Sequence, residues 1–111
     1  MTVGPTDKMT AIECKERLGN LRCCVVMPTY NNAGTLRDVI SEVLGYCSHV
    51  IVVNDGSTDA TAQIISSFDT RIRSLSMESN RGKGIALQCG MAYALRLGYK
   101  YAITIDSDGQ H

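Results

Sequence analysis

Long hydrophobic runs are missing from this 111-residue sequence. Its longest mainly apolar stretches are about six residues, far below the ~20 that cross a bilayer, so no membrane-spanning helix is expected. Residues 1–10 hold no apolar run either, so no secretory leader is read there. Net charge is lacking too, because eleven Lys/Arg balance eleven Asp/Glu. That excludes the broad electrostatic footprint of a nucleic-acid or anionic-membrane binder. Any polyanion must then be held locally, by a loop or a metal. Histidine is scarce, with only His49 and His111. The five cysteines (Cys14, Cys23, Cys24, Cys47, Cys89) are odd in number and include no C-x-x-C pair. Both facts weigh against a zinc site or a disulfide framework. Reduced, mostly buried thiols in a cytosolic protein are expected instead. Two glycine signatures are also missing. No G-x-G-x-x-G follows the first apolar run and no G-x-x-x-x-G-K-[ST] occurs anywhere. Their absence argues against a dinucleotide dehydrogenase and a P-loop NTPase.

What is present suits one small domain or part of a larger one. Hydrophobic residues at 44% and charged residues at 20% make the chain too apolar for disorder. Residues 10–20 read as a short leading helix stopped by Gly19-Asn20. Residues 22–27 are a continuous apolar run closed by Pro28. Such a run, without alternation, suggests a strand covered on both faces. Thr35 can cap a helix over 36–46, with Leu36, Val39, Ile40, Val43 and Leu44 on one face. Residues 49–54 form a second buried strand. Ser57, Thr58 or Asp59 can cap a helix reaching Phe68. Residues 71–77 are more polar and read as an edge strand. A glycine-rich loop, 78–84, leads into a helix over 83–97, whose apolar and small residues cover much of its circumference and predict heavy burial. Residues 99–106 are a fourth strand with an acidic end.

Strict alternation of helix and strand predicts an α/β fold, a doubly wound and mainly parallel sheet. With the polar third strand outermost, the spatial order is 3-2-1-4. The fourth strand is then an unprotected edge, and the chain reads as the N-terminal part of a larger domain.

Ligands of such sheets bind at the carboxyl ends of the strands. Those ends carry Pro28-Thr29-Tyr30-Asn31-Asn32, Asn54-Asp55-Gly56-Ser57, Asn80-Arg81-Gly82-Lys83-Gly84 and Asp106-Ser107-Asp108. The second group also reads as a tight turn entering a helix cap, the first as ordinary loop chemistry, and the third as a solvated surface loop. Asp106-x-Asp108 resists so plain a reading. Two carboxylates this close repel unless a cation or donors compensate. Hard cations such as Mg2+ take such ligands together with a substrate's phosphates.

In order and spacing, VVMPTYNN, VIVVNDGSTDAT, NRGKGIALQCGMAYAL and ITIDSDGQH resemble the inverting glycosyltransferases of the GT-A fold, glycosyltransferase family 2. That family includes polysaccharide synthases and polyprenyl-phosphate sugar transferases. The resemblance covers about residues 22–111, and DSDGQH after NRGKG most resembles bacterial relatives of dolichyl-phosphate mannose synthase. It implies a role for each matching position. Pro28 would fix the first loop, Thr29 and Tyr30 would line the nucleobase pocket, and Asn31 would lie at the nucleotide sugar. Asp55 would accept from a uracil or guanine N–H. Arg81 and Lys83 would approach the nucleotide. Asp106 would bind ribose or metal, and Asp108 would ligate Mg2+ or Mn2+ on the diphosphate.

The resemblance further implies metal-assisted transfer from a UDP- or GDP-sugar to a polyprenyl phosphate, another lipid phosphate or a glycan. No nucleic-acid partner is implied. The protein would lie in the cytoplasm, or at the cytoplasmic membrane face in a longer form. Family members continue past Asp-x-Asp with acceptor-binding elements. Residues 22–111, after an extension over 1–21, are therefore expected to form the donor-binding half. That half is expected to transfer no sugar alone and to self-associate through its fourth strand. No catalytic base is assigned, and His111 is given no catalytic role. Two alternatives are a non-catalytic nucleotide-binding module and a sugar nucleotidyltransferase. The latter would show a glycine- and arginine-rich loop where PTYNN stands.

Overall fold

The computed structural model describes residues 10–108. Residues 1–9 of the expected extension lie outside the described residues, as do Gly109, Gln110 and His111 of the last motif. Thr10 starts α1 (Ala11–Asn20), its Oγ1 accepting from the Glu13 N–H at 3.1 Å. This is the usual way to satisfy a helix's orphan donors. There follow β1 (Cys23–Thr29), α2 (Ala33–Leu44), β2 (Val50–Asn54), α3 (Thr61–Ser67) and a single 3-10 turn over Asp69–Arg71. The described chain closes with β3 (Arg73–Ser76), α4 (Lys83–Arg96) and β4 (Tyr101–Thr104).

The four strands form one sheet in the order β3-β2-β1-β4, with every pairing parallel, as the alternation predicts. β1 and β2 are buried along their whole lengths. Successive β1 side chains serve opposite faces. Val25 and Met27 pack with Leu36, Val39, Ile40, Val43, Ile65 and Phe68 from α2 and α3. Cys24 and Val26 pack with Ala86 and Ala94 of α4. Gly90 lets α4 approach closely, since a Cβ there would sit 2.5 Å from Val26 Cγ1.

Several local details differ from expectation: the N-cap of α3 is Ala60 with no side-chain cap bond, in place of Ser57, Thr58 or Asp59, and β4 is shorter than 99–106. Pro28 continues β1 and pairs with Val53 instead of closing the strand. A strand residue points its N and C=O to the same side, and the Pro28 carbonyl faces Ser107. The missing N–H therefore lies on the β4 side, where the ladder has already ended at Val26↔Thr104. α2 begins three residues early because the Thr35 hydroxyl donates to the Ser107 carbonyl at 2.7 Å instead of capping the helix. β3 is shorter than 71–77 because the 3-10 turn takes up Arg71. α4 is not heavily buried: only Ala86, Gly90 and Ala94 are, and Leu95 is 73% exposed. One i, i+4 row is buried against the sheet, Leu87 and Tyr93 flank it half-buried, and Met91, Ala92 and Leu95 are exposed.

All five cysteines are free thiols, and Cys23, Cys24 and Cys47 are buried. Burial, helped by neighbouring Cys23 and Cys47, pushes the Cys24 thiol up to about 11. Among the described residues no three His, Cys, Asp or Glu side chains cluster as a metal cage. No described helix is long and apolar enough to cross a membrane.

Candidate functional site

The carboxyl ends of the strands enclose a cleft of about 260 Å³. Pro28, Thr29, Tyr30, Asp55, Lys83, Asp106 and Asp108 all line it, as the strand order predicts. Asn31 and Arg81 do not. Asn31 sits at φ 51°, and its Oδ1 accepts from the N–H groups of Thr58 (2.8 Å) and Asp59 (3.3 Å). Its side chain thus clamps two loops together, away from the cleft. The Arg81 side chain lines a separate depression beside Ser76, Met77, Glu78 and Ser79.

Asp55 is only 2% exposed, yet its carboxylate is well supplied with donors. Oδ1 accepts from the Arg81 N–H at 2.8 Å, and Oδ2 accepts from the Gly82 N–H at 2.9 Å and Asn80 Nδ2 at 3.2 Å. Asp55 therefore holds the loop that delivers Lys83, the first residue of α4. Each carboxylate oxygen offers about two lone pairs, so acceptor capacity remains toward the cleft. Gly56 secures the same junction. At φ 72° it tolerates a left-handed turn, and a Cβ would stand 2.3 Å from the Ser79 carbonyl carbon.

On the facing side, Lys83 Nζ makes an ion pair with Asp106 Oδ1 across the cleft. Ser107, between the two aspartates, is buried and fully engaged. It donates to the Pro28 carbonyl at 3.1 Å and accepts from Asn32 Nδ2 at 2.7 Å. Those bonds tie the acidic end of β4 to the first loop. One polar atom has no such partner: Thr29 Oγ1 is buried and makes no hydrogen bond among the described residues, while Thr29 lines the cleft. A buried hydroxyl without a partner costs free energy, and here it lines the cleft where a ligand's polar group could satisfy it.

Asn32, Asn80 and Ser107 are cleft residues that motif reading passed over. Asn32 and Asn80 lay within quoted loops as turn formers. Ser107 could have been singled out as the small residue that must fit between two acidic ones.

The donor set suits a hard cation. Asp106 and Asp108 line the cleft along with Asp55, and among the described residues no three His, Cys, Asp or Glu side chains come together as a complete metal cage. So few oxygen ligands suit a hard divalent cation only if waters and substrate phosphates complete its coordination.

Comparison with known proteins agrees with this geometry. The chain is 32% identical over 96 residues to polyprenol monophosphomannose synthase of Mycolicibacterium smegmatis, covering 81% of this chain and 36% of that protein. It is 27% identical over 114 residues to dolichyl-phosphate beta-glucosyltransferase of Dictyostelium discoideum, covering 88% and 34%. Among solved structures, glucosyl-3-phosphoglycerate synthase of Mycobacterium tuberculosis, in complex with Mn2+, UDP and phosphoglyceric acid, is 28% identical with a TM-score of 0.65. The match covers 90% of this chain and 37% of that one. The chain thus spans about a third of the length of these relatives. Residues 24–111 match the family model described as Glycosyl transferase family 2, and the chain belongs to that family.

Proposed function

We propose that the cleft binds the nucleoside-diphosphate end of a nucleotide sugar, and that the protein transfers the sugar to a lipid-phosphate or saccharide acceptor. Residues 22–111 form the donor-binding half. The observation that carries this reading is one cleft holding Asp106 and Asp108 opposite Lys83 and the Asp55-anchored loop. The relatives support it: one is named for making polyprenol monophosphomannose, and another was crystallised with Mn2+ and UDP.

Roles follow from position. Tyr30 and the orphaned Thr29 hydroxyl would meet the base and ribose, with Asp55 as an acceptor for a uracil or guanine N–H. Asp106 and Asp108 would hold Mg2+ or Mn2+, which as a Lewis acid neutralises charge on the departing diphosphate. Lys83 would exchange Asp106 for a diphosphate oxygen when the donor enters. An acceptor oxygen then forms its bond to the anomeric carbon as the bond to the diphosphate breaks. A polyprenyl phosphate acceptor is already ionised and requires no general base. Such a lipid would be met at the cytoplasmic membrane face. Self-association through the exposed β4 edge belongs to the same proposal, and light scattering tests it.

Calorimetry with UDP and GDP, in Mn2+ or in EDTA, tests the donor site. Binding should weaken in EDTA, and Asp108→Ala should lose that metal dependence. Absence of binding by either nucleotide would sink the reading. Binding that ignores both EDTA and Asp108→Ala would remove the metal from it.

A further inference from the structure

The amino ends of the strands carry a second cavity, of about 220 Å³, on the opposite rim from the cleft. His49 and Ser48 line it ahead of β2, Thr70 and Arg71 before β3, Arg73 within β3, and Tyr99 ahead of β4. Each of these polar side chains can donate a hydrogen bond, and no carboxylate lines the cavity. Asp69, one residue before Thr70, does not line it. Neither arginine is in an ion pair among the described residues, where Lys83 and Asp106 form the one such pair. The chain as a whole is neutral, so this local excess of unpaired positive charge is a departure from its average.

Two of the donors are held in place by partners that are not anions. Tyr99 Oη lies 2.6 Å from His49 Nδ1, and the two rings meet edge-on with centroids 5.2 Å apart. That contact occupies Nδ1 and leaves Nε2 as the second ring nitrogen. The Arg71 guanidinium lies over the Phe68 ring, 5.4 Å from its centroid. Such a cation–π contact orients the group without neutralising it. The charge of Arg73 reaches Tyr99 as well: burial raises the tyrosine's pKa, and Arg73 works against that rise.

Forked arginine donors, two hydroxyls and an imidazole around a small recess match a tetrahedral oxyanion. We propose that this cavity binds a phosphate group, inorganic or carried as an ester, separately from the nucleotide cleft. Its two cations leave it electrically incomplete when empty.

The test uses His49 as the reporter. At fixed pH and ionic strength, the His49 ring C–H proton signal should shift saturably with millimolar inorganic phosphate. The signal of free imidazole dissolved in the same sample should stay in place as the reference. Sulfate should compete, and sodium chloride at matched ionic strength should not reproduce the shift. Arg71→Gln with Arg73→Gln should weaken the response about tenfold or more, as expected for losing charged hydrogen bonds. The doubly Lys-substituted variant keeps the charge without the fork and should fall between. Lys83→Met, at the other rim, should leave the response intact. If only vesicles containing phosphatidic acid move His49, the phosphate is a lipid headgroup; if free phosphate suffices, the ligand is soluble. The proposal is overturned if neither source moves His49, if His49 and the imidazole reference drift together without saturation, or if the double Gln variant responds as the unsubstituted chain does.

Discussion

β1 has a neighbour on each side, and the two sides are not alike. Toward β2 the ladder runs from Val25↔Val50 to Thr29↔Asn54, and every side chain in both strands' paired segments is buried. Toward β4 the ladder is equally parallel, from Cys23↔Tyr101 to Val26↔Thr104, but Tyr101 is 61% and Ile103 44% exposed. Backbone hydrogen bonding does not separate the two sides. Side-chain cover does, since α2, α3 and the Ala86-Gly90-Ala94 row of α4 sit over β1 and β2. Yet the acidic pair Asp106 and Asp108 hangs from the thinly covered strand. It is held by what Ser107 grips on the well-covered side, namely Pro28 and Asn32, with Thr35 donating to its carbonyl. Packing makes one region stable, and hydrogen bonds borrow that stability to position the site.

The largest expected effect is a contrast between these regions. Ile40→Ala or Met27→Ala removes a fully buried side chain and should cost about 2–5 kcal/mol. Ile103→Ala, at the half-open edge, should cost less than about 1 kcal/mol. Urea denaturation of the two classes checks the difference, and equal costs would erase it. Gly90→Ala should come next, at about 1–3 kcal/mol, because its Cβ would press on Val26 and Val53 inside a packed contact. Gly34→Ala, in α2 with nothing within 4 Å of the added carbon, should be neutral or stabilising by up to about 1 kcal/mol. Ser107→Ala should cost about 1–3 kcal/mol by leaving buried partners unpaired. It should also weaken Mn2+-dependent UDP binding, which separates positioning from plain stability.

The well-covered region was also the legible one. Uninterrupted apolar runs announced β1 and β2, and Leu36, Val39, Ile40 and Val43 all fall in the core as their spacing predicts. The burial of α4 was misjudged because small and apolar residues surround it, while only one row is fully buried and its flanks are half-covered. Motif order brought most of the named residues to one rim. It could not tell which way side chains turn there. The left-handed backbone of Asn31 swings its amide into another loop, and Arg81 contributes its N–H to Asp55 while its side chain points elsewhere. Those directions depend on loop geometry that no spacing encodes.

A smaller effect concerns acid. The Asp59 carboxyl is held below its ordinary value, first by the Thr61 hydroxyl and also by the Thr61 and Ala33 N–H groups. A carboxylate with a lowered folded pKa stabilises the protein above the unfolded value, near 3.9, and loses that contribution as pH falls through the lowered one. Thermal midpoints of the unsubstituted chain and Asp59→Asn should therefore differ most near neutral pH and converge in acid. A gap independent of pH would assign Asp59 a purely steric role.

The smallest effect on stability should come from Lys83, and it is the one most informative about the cleft. Lys83 and Asp106 are 60% and 43% exposed, so their ion pair stabilises the fold by less than about 1 kcal/mol. Lys83→Met should accordingly melt within a few degrees of the unsubstituted chain. Its consequence lies in competition. The ammonium occupies a carboxylate oxygen that a divalent cation would otherwise take, so removing it should strengthen Mn2+ binding in the absence of nucleotide. The same change removes a cation from the diphosphate's surroundings and should weaken UDP binding. Opposite shifts of two ligands from one substitution are hard to obtain from a general loosening of the site, which would weaken both. Electron paramagnetic resonance counts free Mn2+ directly, and calorimetry supplies the UDP affinity. If Lys83→Met lowers affinity for both ligands, the lysine merely braces the cleft. If Mn2+ affinity rises as UDP affinity falls, Lys83 is the group that trades Asp106 for the diphosphate as the donor arrives.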